Sequence, residues 1–181
     1  MPHLSAPTTD ARASFLTAMA EFIAEGRGEP GDDSLVGAEL RRFRADWATA
    51  AGFAGYVAGL RAEADPDIPR PPGRVPATTL WWLAGEVYLG RLAIRHQLTE
   101  QLREVGGHIG YDVRPSARRR GHATAMLAAA LPVAASLGID PVLITCDHDN
   151  LASRTVIERN GGVLEDQRGN KLRYWLSTNS G

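Results

Sequence analysis

The 181 residues are 44% hydrophobic and 23% charged, a globular composition at a length that suits one domain with a sizeable core. A formal charge of −1 excludes the broad cationic face that a general nucleic-acid or membrane-surface protein needs. The single cysteine, Cys146, excludes an internal disulfide and a cysteine zinc cluster, and the five histidines lack metal-ligand spacing, so no metal is expected. With no basic-then-apolar leader and no apolar run near the roughly 20 residues of a membrane span, a reduced cytoplasmic setting is expected. There Cys146 is an inert thiol in an apolar strand.

In chain order, His3–Gly26 reads as a short strand and a helix capped by Thr9 or Asp10, with Phe15, Met19, Phe22 and Ile23 on one face. The linker GRGEPGDDS is a solvated turn before a helical region from Leu35 to Ala64, either two helices or one with an irregular middle. Phe53, Tyr56, Val57 and Leu60 form its buried stripe, and Gly52, Gly55 and Gly59 weaken it. Five prolines between Asp65 and Pro76 remove donors and fix φ, which makes that segment a crossing loop. TTLWWLAG and EVYLGRLAIRH then form a hairpin about Ala84-Gly85, and QLTEQLREVGG is a short helical or looped excursion. The strand GHIGYDV, a helix, the strand PVLITCD, a second helix and a hairpin about Gly169-Asn170 complete the order. That order predicts an α/β (α+β) fold: a mixed sheet of six to seven mostly antiparallel strands with helices on both faces. One domain spans 1–181, with a strand, helices and a proline-rich loop in 1–75 and the core in 76–178. The pair Trp81-Trp82 alternates faces, so one of them is expected to be exposed and to offer a homodimer contact.

Gly107–Gly138 carries the chemistry. A strand ends at Val113, breaks at Pro115, and a basic glycine-bearing loop opens into a helix whose apolar residues include Met126, Leu127, Ala130 and Ala134. The first N–H groups of a helix lack intrahelical partners and its dipole is positive there, so the loop is built for a phosphate. Gly121 and Ala123 keep the turn open to the backbone, and Arg118, Arg119 and Arg120 add charge around it. A solvated arginine-rich loop capping a surface helix is the plainer alternative.

These residues resemble the GNAT family of N-acetyltransferases, whose acetyl-CoA loop has the form V-x-P-x-x-Q/R-x-x-G-x-G/A. Val113, Pro115, Arg118, Gly121 and Ala123 match it in register. PVLITCD and DNLASRTVIERNGG are similar to the family's fifth strand and next helix, and VPATTLWWL, LAIRH, GGHIGY and RYWL resemble a bacterial branch, so the likeness covers Val75 to Ser177. It implies a pair of parallel strands, ending at Val113 and Cys146, that splay around the cofactor arm. It implies acetyl-CoA as cofactor, held by Val113, Arg118, Arg119, Arg120, Gly121, His122, Ala123, Thr124, Asn150 and Ser153. Asn150 suits an N-cap equally well.

Acyl transfer from a thioester to an amine requires a neutral nucleophile, an oxyanion donor and usually an acid for the leaving thiolate. By resemblance the oxyanion donor is a backbone N–H near Val113, freed by a bulge in its strand. The family's usual acid, a tyrosine seven residues after the asparagine, is Ile157 here, and the position of its strand glutamate is Gly107. The candidate replacements are Tyr111, His108 and His96. Tyr111 shares a face with Val113 and reads otherwise as a core aromatic; His108 reads otherwise as structural, and His96 as a solvated strand end. The expected activity is N-acetylation of a small-molecule primary amine, with a peptide or protein amine ranked second. A catalytically silent acyl-CoA sensor is the alternative from another class. Glu86, Asp112, Glu165 and Asp166 are the carboxylates available to attract a cationic amine.

Overall fold

A computed structural model describes residues 1–179. The strand β1 (His3–Ser5) leads to Thr8, whose hydroxyl accepts from the Asp10 N–H and caps a 3₁₀ turn, Thr9–Ala11, that runs into α1 (Arg12–Ala24). The cap therefore falls one residue before the predicted pair, because the helix begins with a tight turn. Phe15, Met19 and Phe22 are buried at helical spacing, with Ile23 only partly covered.

The helical region divides into α2 (Leu35–Phe43), a 3₁₀ turn at Asp46–Ala48 and α3 (Ala50–Ala62). Ser34 and Thr49 cap the two helices by accepting from Gly37 N–H and Gly52 N–H. After the proline loop come β2 (Ala77–Ala84), β3 (Val87–Arg95), the short α4 (Glu100–Glu104) and β4 (Ile109–Val113). Then follow α5 (His122–Ser136), β5 (Val142–Asp147), α6 (Leu151–Arg159), β6 (Val163–Arg168) and β7 (Lys171–Leu176).

The strands form two antiparallel sheets, ordered β1-β2-β3-β4 and β5-β7-β6. They meet where β4 and β5 begin: His108 N–H donates to Leu143 O at 2.7 Å and Gly106 N–H to Thr145 Oγ1 at 2.9 Å. Beyond that contact the two strands share no ladder, which divides the predicted sheet at the predicted splay.

Two cores lie on opposite faces of β2–β4. On one, Phe15, Trp47, Phe53, Tyr56, Trp81 and Tyr88 interlock, with Phe15 stacked on Trp81 at 5.2 Å. On the other, α5 and α6 close over an aliphatic core that includes Leu92, Ile94, Met126, Leu127, Ile144 and Ile157. Each fully buried side chain of this kind contributes about 1.5–3 kcal/mol. Trp81 and Trp82 do face opposite sides, but both sides are covered, and they are 0% and 5% exposed. The expected dimer contact is therefore absent from this pair: Trp82 instead donates Nε1–H to His122 Nδ1 at 3.3 Å.

Candidate acetyl-CoA cleft

The opening between β4 and β5 continues into a cleft of about 550 Å³. Its edge is set by strand register. Arg95 N–H donates to His108 O and Arg114 N–H to Leu89 O, and the register between them, Gly90↔Val113 through Ile94↔Ile109, has no shift. Antiparallel ladders bond alternate residues, so the even-numbered residues of β4 bond to β3 and the Val113 N–H points the other way, toward the gap. The bulge expected at Val113 is absent; the departure of β5 alone leaves this N–H free of a strand partner.

A 3₁₀ turn, Pro115–Ala117, then carries the chain to Gly121, the N-cap of α5, at φ 81° and ψ 0°. That left-handed conformation suits glycine, and nothing lies within 4 Å of where a Cβ would stand. No side chain caps α5, so its first N–H groups face the cleft with the positive end of a 15-residue helix behind them.

Most of the expected cofactor residues line this cleft: Val113, Arg118, Arg119, Gly121, His122, Ala123, Thr124, Asn150 and Ser153. Arg120 is exposed and outside it, because Arg119 takes a left-handed φ of 59° and the loop turns between them. Arg118 lines the cleft, yet its guanidinium is held by Glu25. Asn150 Oδ1 accepts from Ser153 N–H at 3.0 Å, so the N-cap role is realised.

Of the proton-carrier candidates only Tyr111 reaches the cleft. Its hydroxyl meets Ser153 Oγ at 2.8 Å, and burial raises its pKa well above the ordinary phenol value. His108 is turned away: its Nδ1 accepts from Leu143 N–H at 2.9 Å, tying the two sheets, and burial with Arg103 and Arg95 nearby lowers its pKa to about 4. His96 pairs with Thr78 Oγ1 beyond the end of β3, six residues or about 20 Å along the strand from the Gly90↔Val113 pair. Neither histidine lines the cleft.

Asp112 is the group whose importance the sequence left open. It lies on the face of β4 opposite Tyr111, toward α2, where its Oδ2 accepts from Val36 N–H at 3.2 Å while still lining the cleft with Arg27. Burial raises its pKa to about 6, against the lowering effect of Arg27 and Arg91. Period-two alternation showed which face it occupies; only the packing of α2 showed that the face belongs to the cleft.

The sequence profile of the Acetyltransferase (GNAT) domain matches residues 38–163, well over half the chain. The chain belongs to the GNAT acetyltransferase family. Its fold is that of Mycobacterium smegmatis RimJ, solved with CoA-disulfide (TM-score 0.64, 20% identity, 96% of this chain and 80% of that one). It is also similar in fold to the microcin C7 self-immunity acetyltransferase MccE, solved with acetyl-CoA and AMP (0.61, 12%, 96% and 91%). A third likeness is to RimL, the ribosomal L7/L12 α-N-protein acetyltransferase, solved with coenzyme A (0.61, 17%, 96% and 92%). No curated protein matches the chain in sequence.

As a GNAT acyltransferase the protein uses acetyl-CoA, and the residues present fit that group: uncapped N–H groups on α5, open space over Gly121, and a cleft reaching the Val113 N–H. The two positions where other members carry their proton groups are closed to them here. Ile157 is fully buried in the aliphatic core. Gly107 has φ 59°, and a Cβ there would stand 2.3 Å from Leu143 O, so no glutamate fits.

Proposed function

We propose that this GNAT protein N-acetylates the primary amine of a small molecule in the cytoplasm, with Asp112 receiving the amine proton and Tyr111 the acid on the opposite face. The observation that carries the reading is the Asp112 carboxylate in the cleft, one residue from Val113 and bonded to α2 rather than to a cation. Acetyl-CoA supplies an activated acetyl thioester. The Val113 N–H is the preorganised donor for the carbonyl oxygen, a contact whose loss in other enzymes costs about 2.7–4 kcal/mol. Its partner Tyr111 stays protonated at neutral pH, as an acid must, and Ser153 fixes its hydroxyl.

Proton matching narrows the acceptor. A carboxylate titrating near 6 takes a proton from an α-amine of pKa about 7.7–8.0 far more readily than from an alkylamine near 10.4. Compounds with a free α-amino group, peptide N-termini included, are therefore favoured over polyamines. A silent acyl-CoA sensor is the second reading, favoured by Ile157 and Gly107 at the usual proton-carrier positions.

The test is calorimetric titration of CoA and acetyl-CoA into wild type and Gly121→Glu, with free-thiol release followed over a panel of α-amino and alkyl amines. Wild type is expected to bind, Gly121→Glu to lose at least a hundredfold in affinity, and α-amino compounds to release thiol first. Binding with no thiol release from any amine would leave the sensor reading standing.

A further inference from the structure

The side chains of α1 engage the cofactor loop at two successive turns. Glu21 accepts from the Arg114 guanidinium, from Ser116 N–H at 3.0 Å and from Ser116 Oγ–H at 3.0 Å. One turn later Glu25 holds Arg118 in a bidentate pair at 2.7 and 2.8 Å. Arg118 Nε in turn donates to Val113 O at 3.1 Å. Behind them Arg114 donates to Ser14 Oγ and Tyr88 O, so all three of its guanidinium nitrogens are engaged.

Glu21 and Glu25 between them hold Arg114, Ser116 and Arg118, and the residues in between, Pro115 and Ala117, carry no polar side chain. Glu21 and the C-cap residue Glu25 are four apart at the end of α1, as Arg114 and Arg118 are along the loop, so the two segments match tooth to tooth. Two carboxylates beside a phosphate site would repel the ligand if left free. Their commitment to Arg114, Ser116 and Arg118 removes that repulsion, and the Arg114 guanidinium beside Glu21 holds its carboxyl down to about 2.

We infer that α1 is the mould of the cofactor loop, and that Arg118, the arginine of the motif, is a positioning residue that locks the Val113 backbone to Glu25 rather than a phosphate ligand. Arg119 and Arg159 are then the guanidinium groups of the cleft free to meet phosphate, since among the described residues its other two, Arg27 and Arg118, are ion-paired. Glu25 is also the last residue before the loop that brings Arg27 to the cleft, so one ion pair joins the cofactor side to the acceptor side.

Arg118→Ala, Glu25→Gln and the double variant separate the two roles, with thermal melting to confirm that each folds. The readouts are CoA affinity by calorimetry and amide hydrogen exchange of 109–121 in the free protein. Both single variants are expected to speed exchange across 113–118 and to weaken CoA by the same small factor, about threefold, with the double variant no worse than either. Arg118→Lys is expected to rescue neither readout, because lysine lacks the fork that reaches Glu25 and Val113 together. A tenfold or greater loss of CoA in Arg118→Ala alone, with Glu25→Gln binding as wild type or tighter, would make Arg118 a phosphate ligand and overturn the inference. So would unchanged exchange in Glu25→Gln. The exchange arm reads the free protein, so it stands apart from any failure of the acetyltransferase reading.

Discussion

The two walls of the cleft are built from different materials. The cofactor wall is largely backbone: the Val113 N–H, the left-handed turn at Gly121 and the uncapped start of α5. The wall we propose for the acceptor is side chains, Asp112 and Arg27, carried there by β4 and by the loop after α1. A backbone wall needs only local geometry and accepts many side chains around it. A side-chain wall depends on which distant elements pack beside it, which is where members of one fold acquire different substrates.

The contrast breaks most severely if the usual base can be restored on the backbone side. Gly107→Glu is expected to cost about 3 kcal/mol or more, read by urea denaturation, because of the left-handed φ and the contact with Leu143 O. A stable, more active variant would show that the glycine is not imposed by packing. Next in size, Asp112→Asn is expected to lower turnover about a hundredfold while CoA affinity stays within twofold. Wild-type rate should fall as pH drops through about 6, where Asp112 gains a proton, and the variant should lack that limb.

The histidine that joins the sheets sharpens the comparison through stability. Its folded pKa of about 4 lies below the ordinary 6.5, so the unfolded chain binds the extra proton first. Stability is then complete well above pH 6.5 and declines by about 3 kcal/mol as pH falls through 6.5 to 4. Denaturant titrations across that window should show the decline in wild type and a flatter profile in His108→Asn. The smallest effect belongs to Asn150→Ala, expected to cost about 1 kcal/mol through loss of the cap to Ser153 N–H. A loss of CoA affinity beyond what that destabilisation explains would add a ligand role to the cap.

Legibility followed the same division. The geometry of the loop into α5 could be read because its determinants lie within eleven residues, Val113 to Ala123, and act through the main chain. The hairpins about Gly85 and Gly169 and the buried stripes of α1 and α3 were legible for the same local reason. The contact that His108 makes was not legible, because its partner, Leu143 N–H, is 35 residues away. The ion pair of Arg118 was not legible because Glu25, its partner, lies 93 residues earlier.

By itself the amino-acid order determined the sequence of elements, the glycine-led helix start without a side-chain cap, the absence of the usual acid and base at Ile157 and Gly107, and membership of the GNAT family. Those are properties of spacing and residue type, set by hydrogen bonds and sterics within a few residues. Tertiary structure alone decided that both tryptophans are covered, that β5 leaves β4 and frees the Val113 N–H, that Asp112 rather than His108 or His96 lines the cleft, and that Glu21 and Glu25 hold the loop after β4. Each of these depends on groups far apart in sequence, and only packing sets which of them meet.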